Sequence, residues 1–168
     1  MLFRSPASVQ ADLCRLLAQA AGHAGMAGGQ AIDLASVGVA LSLPELTRMH
    51  RCKTGALLEG SVRMGAAVAQ ADASVRQALT RYGQALGLAF QVVDDVLDVT
   101  ADTAVLGKTA GKDADNDKPT YVSLLGLEGA QREAERWGVQ AQQALTESGL
   151  SDTRMLQALA DWVWQRRH

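Results

Sequence analysis

The fold of this chain is decided by one stretch, which reads Phe90-Gln91-Val92-Val93-Asp94-Asp95-Val96-Leu97-Asp98. It lies inside the apolar run 86–99, where apolar residues recur at helical spacing and form two stripes. This pattern predicts a helix that is apolar nearly all round and therefore buried. Gln91, Asp94 and Asp98 share one face of the helix, because residues three and four positions apart are neighbours. Asp95 joins that face only through Gln91.

The three carboxylates of this stretch suggest a metal site. A buried carboxylate is unfavourable unless it is paired or binds a metal ion. Two carboxylates one helical turn apart can hold one hard cation, and Mg²⁺ typically binds one or two carboxylates together with substrate phosphates. We therefore predict Mg²⁺ ligands at Asp94, Asp95 and Asp98. The alternative is that these aspartates form salt bridges or face solvent at a helix end, which is the more frequent outcome for so short a motif taken alone.

Lysines on both sides of the acidic stretch favour the metal site. The segments that carry them are Lys53-Thr54-Gly55, Gly107-Lys108, Gly111-Lys112-Asp113 and Asp117-Lys118-Pro119-Thr120-Tyr121. Carboxylates for a metal ion and lysines at several distances are the groups that a diphosphate site needs. Lys53 lies on an otherwise apolar helix face, and lysine is rarely buried without a partner. The alternative for Lys53 is a stem that packs while its ammonium group reaches water.

Composition excludes several other classes of function. Hydrophobic residues make up 48% of the 168 residues, which is enough for one domain with a core, so we predict a single domain over 1–168. The net charge of −2, the 4% aromatic content and the lack of a long basic run argue against nucleic-acid binding. No apolar run approaches the roughly 20 residues that span a membrane. Cys14 and Cys52 are not spaced like metal ligands. Because the opening residues show no signal-peptide pattern, we expect a cytoplasmic protein in which both thiols are reduced.

Helical patterns cover the first half of the chain. Ser5-Pro6 predicts the start of a helix that ends near Gly22. The glycines between positions 22 and 29 indicate a tight passage in which helix backbones approach closely, followed by a short helix over 30–37. Ser42 and Glu45 form a capping-box pattern, which predicts a long helix to about Gln70.

The second half is helical as well. A central helix is expected from Asp72 or Ser74 to about Thr100, then a loop over 101–117. Pro119 starts the next helix, and an amphipathic segment follows over 128–147. The last helix, capped by Ser151 or Asp152, is expected to bury five side chains, namely Met155, Leu156, Leu159, Trp162 and Val163. No alternating strand pattern of useful length occurs, so the chain is predicted to be all-α.

These motifs together resemble the trans-type isoprenyl diphosphate synthases, specifically the bacterial farnesyl or geranyl diphosphate synthases. The order and spacing of the matching stretches agree over nearly the whole chain; these stretches are 25–34, 50–55, 90–98, 106–113 and 117–121. The resemblance implies an all-α, antiparallel helix bundle of the isoprenoid-synthase type. It also implies Mg²⁺ as cofactor, isoprenoid diphosphates as substrates and a homodimer.

The resemblance covers the C-terminal half of a family member. The family has two aspartate-rich motifs on facing helices, and Asp94, Asp95 and Asp98 match the second. This sequence has no match to the first motif, to the arginines that follow it or to the segment that holds isopentenyl diphosphate. We therefore expect an incomplete bundle, that is, a fragment, a truncated product or a separated half. Product length stays open, because the family sets it largely near the first motif.

The resemblance implies roles for individual residues. It assigns Asp94 to Mg²⁺, with Asp98 beside it or acting through water. It assigns Lys53 and Lys108 to the allylic diphosphate and makes Lys118 a further candidate. Thr54 and Gln91 would lie beside the reacting carbon and the diphosphate, whereas Asp33 and Gln30 would have structural roles.

Three functions remain open at this point. The first is a chain-elongating prenyltransferase of the farnesyl diphosphate synthase type, with Lys53, Asp94 and Asp98 as its catalytic residues. The second is a catalytically incomplete helical fragment that binds metal or diphosphate, or only another chain. The third, a cyclising terpene synthase, shares the fold but fits the lysines and the Gly107-Lys108 segment less well.

Overall fold

The computed structural model describes residues 5–105 and 118–166, and for residues 101–105 it describes the backbone only. All regular structure in these ranges is helical. The elements in chain order are α1 (Ala7–Ala21), α2 (Met26–Ala35), α3 (Leu43–His50), a π-helical turn (Arg51–Gly55), α4 (Ala56–Val68), α5 (Ala73–Val105), α6 (Tyr121–Glu147) and α7 (Arg154–Gln165). The predicted all-α class is confirmed. Within the described ranges, none of the helices is both long and apolar enough to cross a membrane.

The helix starts follow local sequence signals. At α3 the Ser42 backbone N–H donates to the Glu45 carboxylate at 2.8 Å, and the predicted capping box is present. At α6 the Ser123 backbone N–H donates to the Thr120 hydroxyl at 3.0 Å, which closes a second box. The chain turns sharply at Gly126, whose φ of 69° is available to glycine at little cost, so α6 contains a kink.

Several predicted boundaries are wrong, including the start of the last helix, whose N-cap is Thr153 rather than Ser151 or Asp152. The long helix expected up to about Gln70 consists of α3, the π-helical turn and α4, because the backbone bonding widens for one turn at 51–55. The short helix begins at Met26 instead of position 30, since Gly28 and Gly29 stay helical where the chain packs against a neighbouring backbone. The central helix continues to Val105.

Helix α5 is the centre of the structure. It contacts α3, the π-helical turn, α4, α6 and α7, and Leu88 and Val92 are fully buried. Two of its glycines permit a close approach: a Cβ on Gly83 would lie 2.8 Å from the Glu59 Cα, and one on Gly87 would lie 2.6 Å from the Gly55 Cα. This approach sets the π-helical turn directly against α5.

Helix α7 buries a narrower face than the sequence predicts. Val163 is buried and Leu156 partly so, but Met155 is 83% exposed, Leu159 42% and Trp162 60%. The prediction is wrong for these three residues, because α7 packs through the adjacent face and leaves their face uncovered. We call Met155, Leu159 and Trp162 the α7 apolar face.

Candidate functional site

Two lysines meet at one buried carboxylate. Asp33 of α2 has a side chain that is only 9% exposed, and its Oδ2 lies 2.8 Å from Lys53 Nζ and 3.5 Å from Lys118 Nζ. Lys53 belongs to the π-helical turn, and Lys118 precedes α6. Both lysine side chains are about one-third exposed, at 32% and 29%. The two ammonium groups therefore share one counter-ion, and the side chains that carry them remain partly exposed.

Opposing effects of burial and of nearby charges set the pKa values of Asp33 and His50. Burial raises the pKa of Asp33, but the hydrogen bond from Lys53 and the charges of Lys53 and Lys118 outweigh it, so the pKa is lowered overall. This carboxylate stabilises the fold above its unfolded pKa, and the contribution is lost as the pH falls through the folded pKa. His50 is neutral at pH 7, because burial, helped by Lys53 and opposed by Asp33, lowers its pKa to about 4.

A series of hydrogen bonds joins the π-helical turn to α5 and α6. The Thr54 hydroxyl donates to Gln91 Oε1 at 3.1 Å, and Gln91 Nε2 donates to Asp95 Oδ1 at 3.3 Å. The backbone N–H of Tyr121, the first residue of α6, donates to Asp95 Oδ2 at 2.8 Å. A carboxylate at a helix N-terminus is favoured by the helix dipole. Asp95 thus connects α5 to α6 directly, and it is linked to Thr54 through Gln91.

His50 lies beside this series. Its ring stacks on Tyr121 with centroids 5.7 Å apart, and its Nε2 is 4.0 Å from Asp95 Oδ2, too long for a hydrogen bond. Among the described residues, neither ring nitrogen has a hydrogen-bond partner. The Tyr121 hydroxyl and the Thr47 hydroxyl are hydrogen-bonded at 2.9 Å. His50 therefore packs the Tyr121 ring without adding a charge.

Asp94 has different partners. The Arg166 guanidinium forms an ion pair with its carboxylate, donates to the Phe90 carbonyl at 3.2 Å and stacks 4.2 Å above the centre of the Phe90 ring. The pKa of Asp94 is raised, chiefly by burial; Arg166 opposes the shift and the nearby Asp98 charge adds to it. Two carboxylates that repel each other in this way are stabilised by a cation between them.

The carboxylates offer a pair of metal ligands. Among the side chains described, no three His, Cys, Asp or Glu residues come together in an arrangement that could hold a metal ion. Asp94 and Asp98 nevertheless fit Mg²⁺, which needs only one or two carboxylates when phosphates complete its shell. Asp95 was predicted as a third ligand, but it is 4% exposed and its two oxygen atoms accept N–H groups of the protein. Its surroundings are those of a structural acceptor.

Some sequence predictions stay predictions. Lys108 lies outside the described residues. Lys53 and Asp94 are expected to face one cavity, and a path of contacts runs from Thr54 to Gln91, three residues before Asp94 on α5. A groove of about 510 Å³ lies elsewhere, with Arg81 and Trp137 among its lining residues, and none of the predicted site residues lines it.

Sequence reasoning missed two contacts of the site. Asp33 was expected to be structural, and nothing in its local sequence indicates that two distant lysines reach it. Arg166 was not predicted at all, since a basic residue at a helix end usually indicates only a favourable position for the helix dipole.

The fold and these contacts define an all-α protein with lysines gathered at one carboxylate and an acidic helix beside them. Comparison with known proteins then identifies the family. Residues 2–158 match the family model of the polyprenyl synthetases. The chain belongs to the polyprenyl synthetase family.

Individual relatives agree with this assignment. The chain is 49% identical to the farnesyl diphosphate synthase of Escherichia coli, over 89% of this chain and 51% of that protein. It is 48% identical to the probable farnesyl diphosphate synthase of Sinorhizobium fredii, over 92% of this chain and 48% of that protein. The chain thus spans about half the length of the curated relatives it matches.

Solved structures show the same fold. A putative farnesyl-diphosphate synthase from Marinomonas matches with a TM-score of 0.79 and 38% identity, over 94% of this chain and 53% of that one. A decaprenyl diphosphate synthase from Rhodobacter capsulatus matches with a TM-score of 0.81 and 28% identity, over 94% and 60%. The predicted isoprenoid-synthase type of all-α fold is confirmed.

Proposed function

We propose that this chain carries the allylic-diphosphate side of a chain-elongating prenyltransferase of the farnesyl diphosphate synthase type, which condenses an allylic diphosphate with isopentenyl diphosphate. Two relatives that are 48% and 49% identical to it are named farnesyl diphosphate synthase, one of them as probable. The observation that carries the proposal is the meeting of Lys53 and Lys118 at one oxygen of Asp33.

The chemistry explains why these residue types are needed. The allylic substrate loses its diphosphate, the resulting allylic cation is attacked by the double bond of the second substrate, and loss of a proton completes the condensation. Charge separation is the barrier, so the leaving group needs preorganised positive charge. Lys53 and Lys118 each supply a mobile point charge for phosphate oxygen atoms. Lys108 is proposed as a third lysine of this group.

Asp94 and Asp98 are proposed to hold Mg²⁺. When bound, the ion would neutralise diphosphate oxygen atoms as a Lewis acid. The residues themselves contribute a pair of carboxylates one helical turn apart, and Arg166 neutralises Asp94 in the structure described here. A metal ion at Asp94 would compete with this arginine for the carboxylate.

A second candidate function is binding without turnover. This chain spans about half the length of its relatives, and its sequence contains no counterpart of the family's first aspartate-rich motif. The chain by itself would then bind metal and diphosphate, or another protein chain, without catalysing condensation.

Both candidate functions include diphosphate binding, so a binding experiment tests the role proposed for the two lysines. In the variant Lys53→Ala/Lys118→Ala, affinity for inorganic diphosphate with Mg²⁺ is expected to fall at least tenfold, because hydrogen bonds to charged groups contribute about 1.5–3 kcal/mol each. Isothermal titration calorimetry measures the affinity for inorganic diphosphate. Arg132→Ala/Arg154→Ala is the matched control, since it also removes two positive charges, but from side chains that are 73% and 87% exposed. Equal affinity in the double variant and the wild type would contradict the assignment.

We propose in addition that the chain associates with itself. The α7 apolar face exposes large side chains together, and exposed apolar patches favour association. Sedimentation at micromolar concentration is expected to show at least a dimer, and Trp162→Glu to shift it towards monomer. Gln157→Glu is the control, because it adds the same charge at an exposed position of the same helix. A monomer for the wild type would refute this proposal.

A further inference from the structure

Asp95 has surroundings unlike those of the other two aspartates in the acidic stretch. It is 4% exposed, and both of its oxygen atoms accept N–H groups, Oδ2 from the Tyr121 backbone at 2.8 Å and Oδ1 from Gln91 Nε2 at 3.3 Å. A carboxylate in such a position acts only as an acceptor. Its neighbours must therefore turn their donors towards it.

The acceptor character of Asp95 determines how Gln91 is oriented. A glutamine amide has one accepting end and one donating end. Because Asp95 receives the NH₂ end, the Oε1 end faces Thr54, whose hydroxyl donates to it at 3.1 Å. The single hydroxyl proton of Thr54 is used in this bond. The free lone pairs of the Thr54 oxygen then remain for any group that approaches the half-buried side chain.

We propose that Asp95 is a positioning residue that sets the direction of the hydrogen bonds through Gln91 and Thr54, so that Thr54 presents oxygen lone pairs rather than a proton to the substrate. The proposal rests on the proposed function, in which an allylic carbon becomes electron-deficient beside Lys53 and Thr54. An oxygen lone pair stabilises positive charge on that carbon. If Thr54 instead turned its hydroxyl proton to the substrate, it would donate a hydrogen bond to an oxygen atom of the diphosphate.

The substitution Asp95→Asn reverses this direction while both of the described hydrogen bonds keep a partner. The Asn carbonyl can still accept the Tyr121 N–H, and its NH₂ group then donates to a Gln91 amide that has turned over. Gln91 now donates to the Thr54 oxygen, and the Thr54 proton is released towards the substrate. A purely structural role for Asp95 predicts no change in ligand preference once the fold is intact.

A reciprocal exchange provides the rescue. In Asp95→Asn/Gln91→Glu, the Asn NH₂ donates to the Glu carboxylate, which also accepts the Thr54 hydroxyl, while the Asn carbonyl accepts the Tyr121 N–H. The exchange keeps the total charge of the pair. It restores the direction of the Thr54 hydrogen bond, although neither original residue remains in place.

The bond itself is tested by nuclear magnetic resonance on the 168-residue chain. The side-chain amide protons of Gln91 are expected to resonate downfield in the wild type, because their acceptor is a charged carboxylate. In Asp95→Asn they are expected to move upfield, while the amide signals of the α5 backbone stay in place. An unchanged Gln91 side-chain signal in an otherwise native spectrum would overturn the proposal.

Ligand preference tests the consequence for the substrate. The two probes are inorganic diphosphate and an ammonium analogue of a short allylic diphosphate, in which a nitrogen cation replaces the reacting carbon. The preference for the ammonium analogue is expected to fall about tenfold in Asp95→Asn, with inorganic diphosphate bound at least as tightly as in the wild type, and to return in the exchange variant. An unchanged preference would overturn the proposal. If the wild type binds neither probe, the proposed function fails, and the substrate part of this inference fails with it. If Asp95→Asn loses the preference while diphosphate binding stays intact, the result supports both the proposed function and the inference.

Discussion

The 168-residue chain, assayed by itself, is expected to condense isopentenyl and allylic diphosphates at least about 10⁵-fold more slowly than a full-length relative. Positioning two reactants against each other contributes about 7–11 kcal/mol to lowering a barrier. We propose Lys53 and Lys118 for one diphosphate, and Asp94 and Asp98 for one metal position. No segment of this sequence matches the family's pocket for the second substrate.

Radiolabelled isopentenyl diphosphate, supplied with geranyl diphosphate and Mg²⁺, measures this rate. The chain is compared with its Asp94→Ala variant, which removes a proposed metal ligand and serves as the background. Adding the N-terminal half of a relative in trans is expected to raise turnover wherever the two halves assemble. Robust product from the chain alone that disappears in Asp94→Ala would show that the single chain holds a complete site.

Gly29→Ala is expected to destabilise the fold by about 3 kcal/mol or more, at the upper end of what overpacking costs. A Cβ at this position would lie 2.1 Å from the Lys53 backbone N and 2.5 Å from the Lys53 Cα. Both atoms belong to backbone, so no side chain can rotate away, and α2 must separate from the π-helical turn. The change also moves Asp33, four residues on in α2, away from Lys53.

Urea unfolding followed by circular dichroism measures the free energy of unfolding. Gly65→Ala is the matched control, since it makes the same chemical change within helix α4 at an exposed glycine whose added Cβ meets nothing within 4 Å. Alanine there is expected to stabilise α4 by about 0.5–1 kcal/mol, because glycine is the poorer helix former. Similar unfolding midpoints for the two variants would mean that α2 and the π-helical turn do not pack as closely as described.

The sequence by itself determined the class of fold and the central helix. Apolar spacing over 86–99 required a buried helix, and α5 is that helix. The capping box at Ser42 was equally local, because it depends on the backbone bonding of a few consecutive residues. The acidic stretch and the lysines were also visible as residue types suited to a diphosphate.

Only the tertiary structure decided which of these groups meet. Lys53 and Lys118 share Asp33, and Asp94 pairs with Arg166, because segments distant in sequence are packed side by side. Helical geometry turns Asp94 and Asp95 in different directions, and tertiary packing gave each of them its own neighbours. Helical spacing could place both carboxylates on α5, but their partners depended on where α6 and the end of α7 lie.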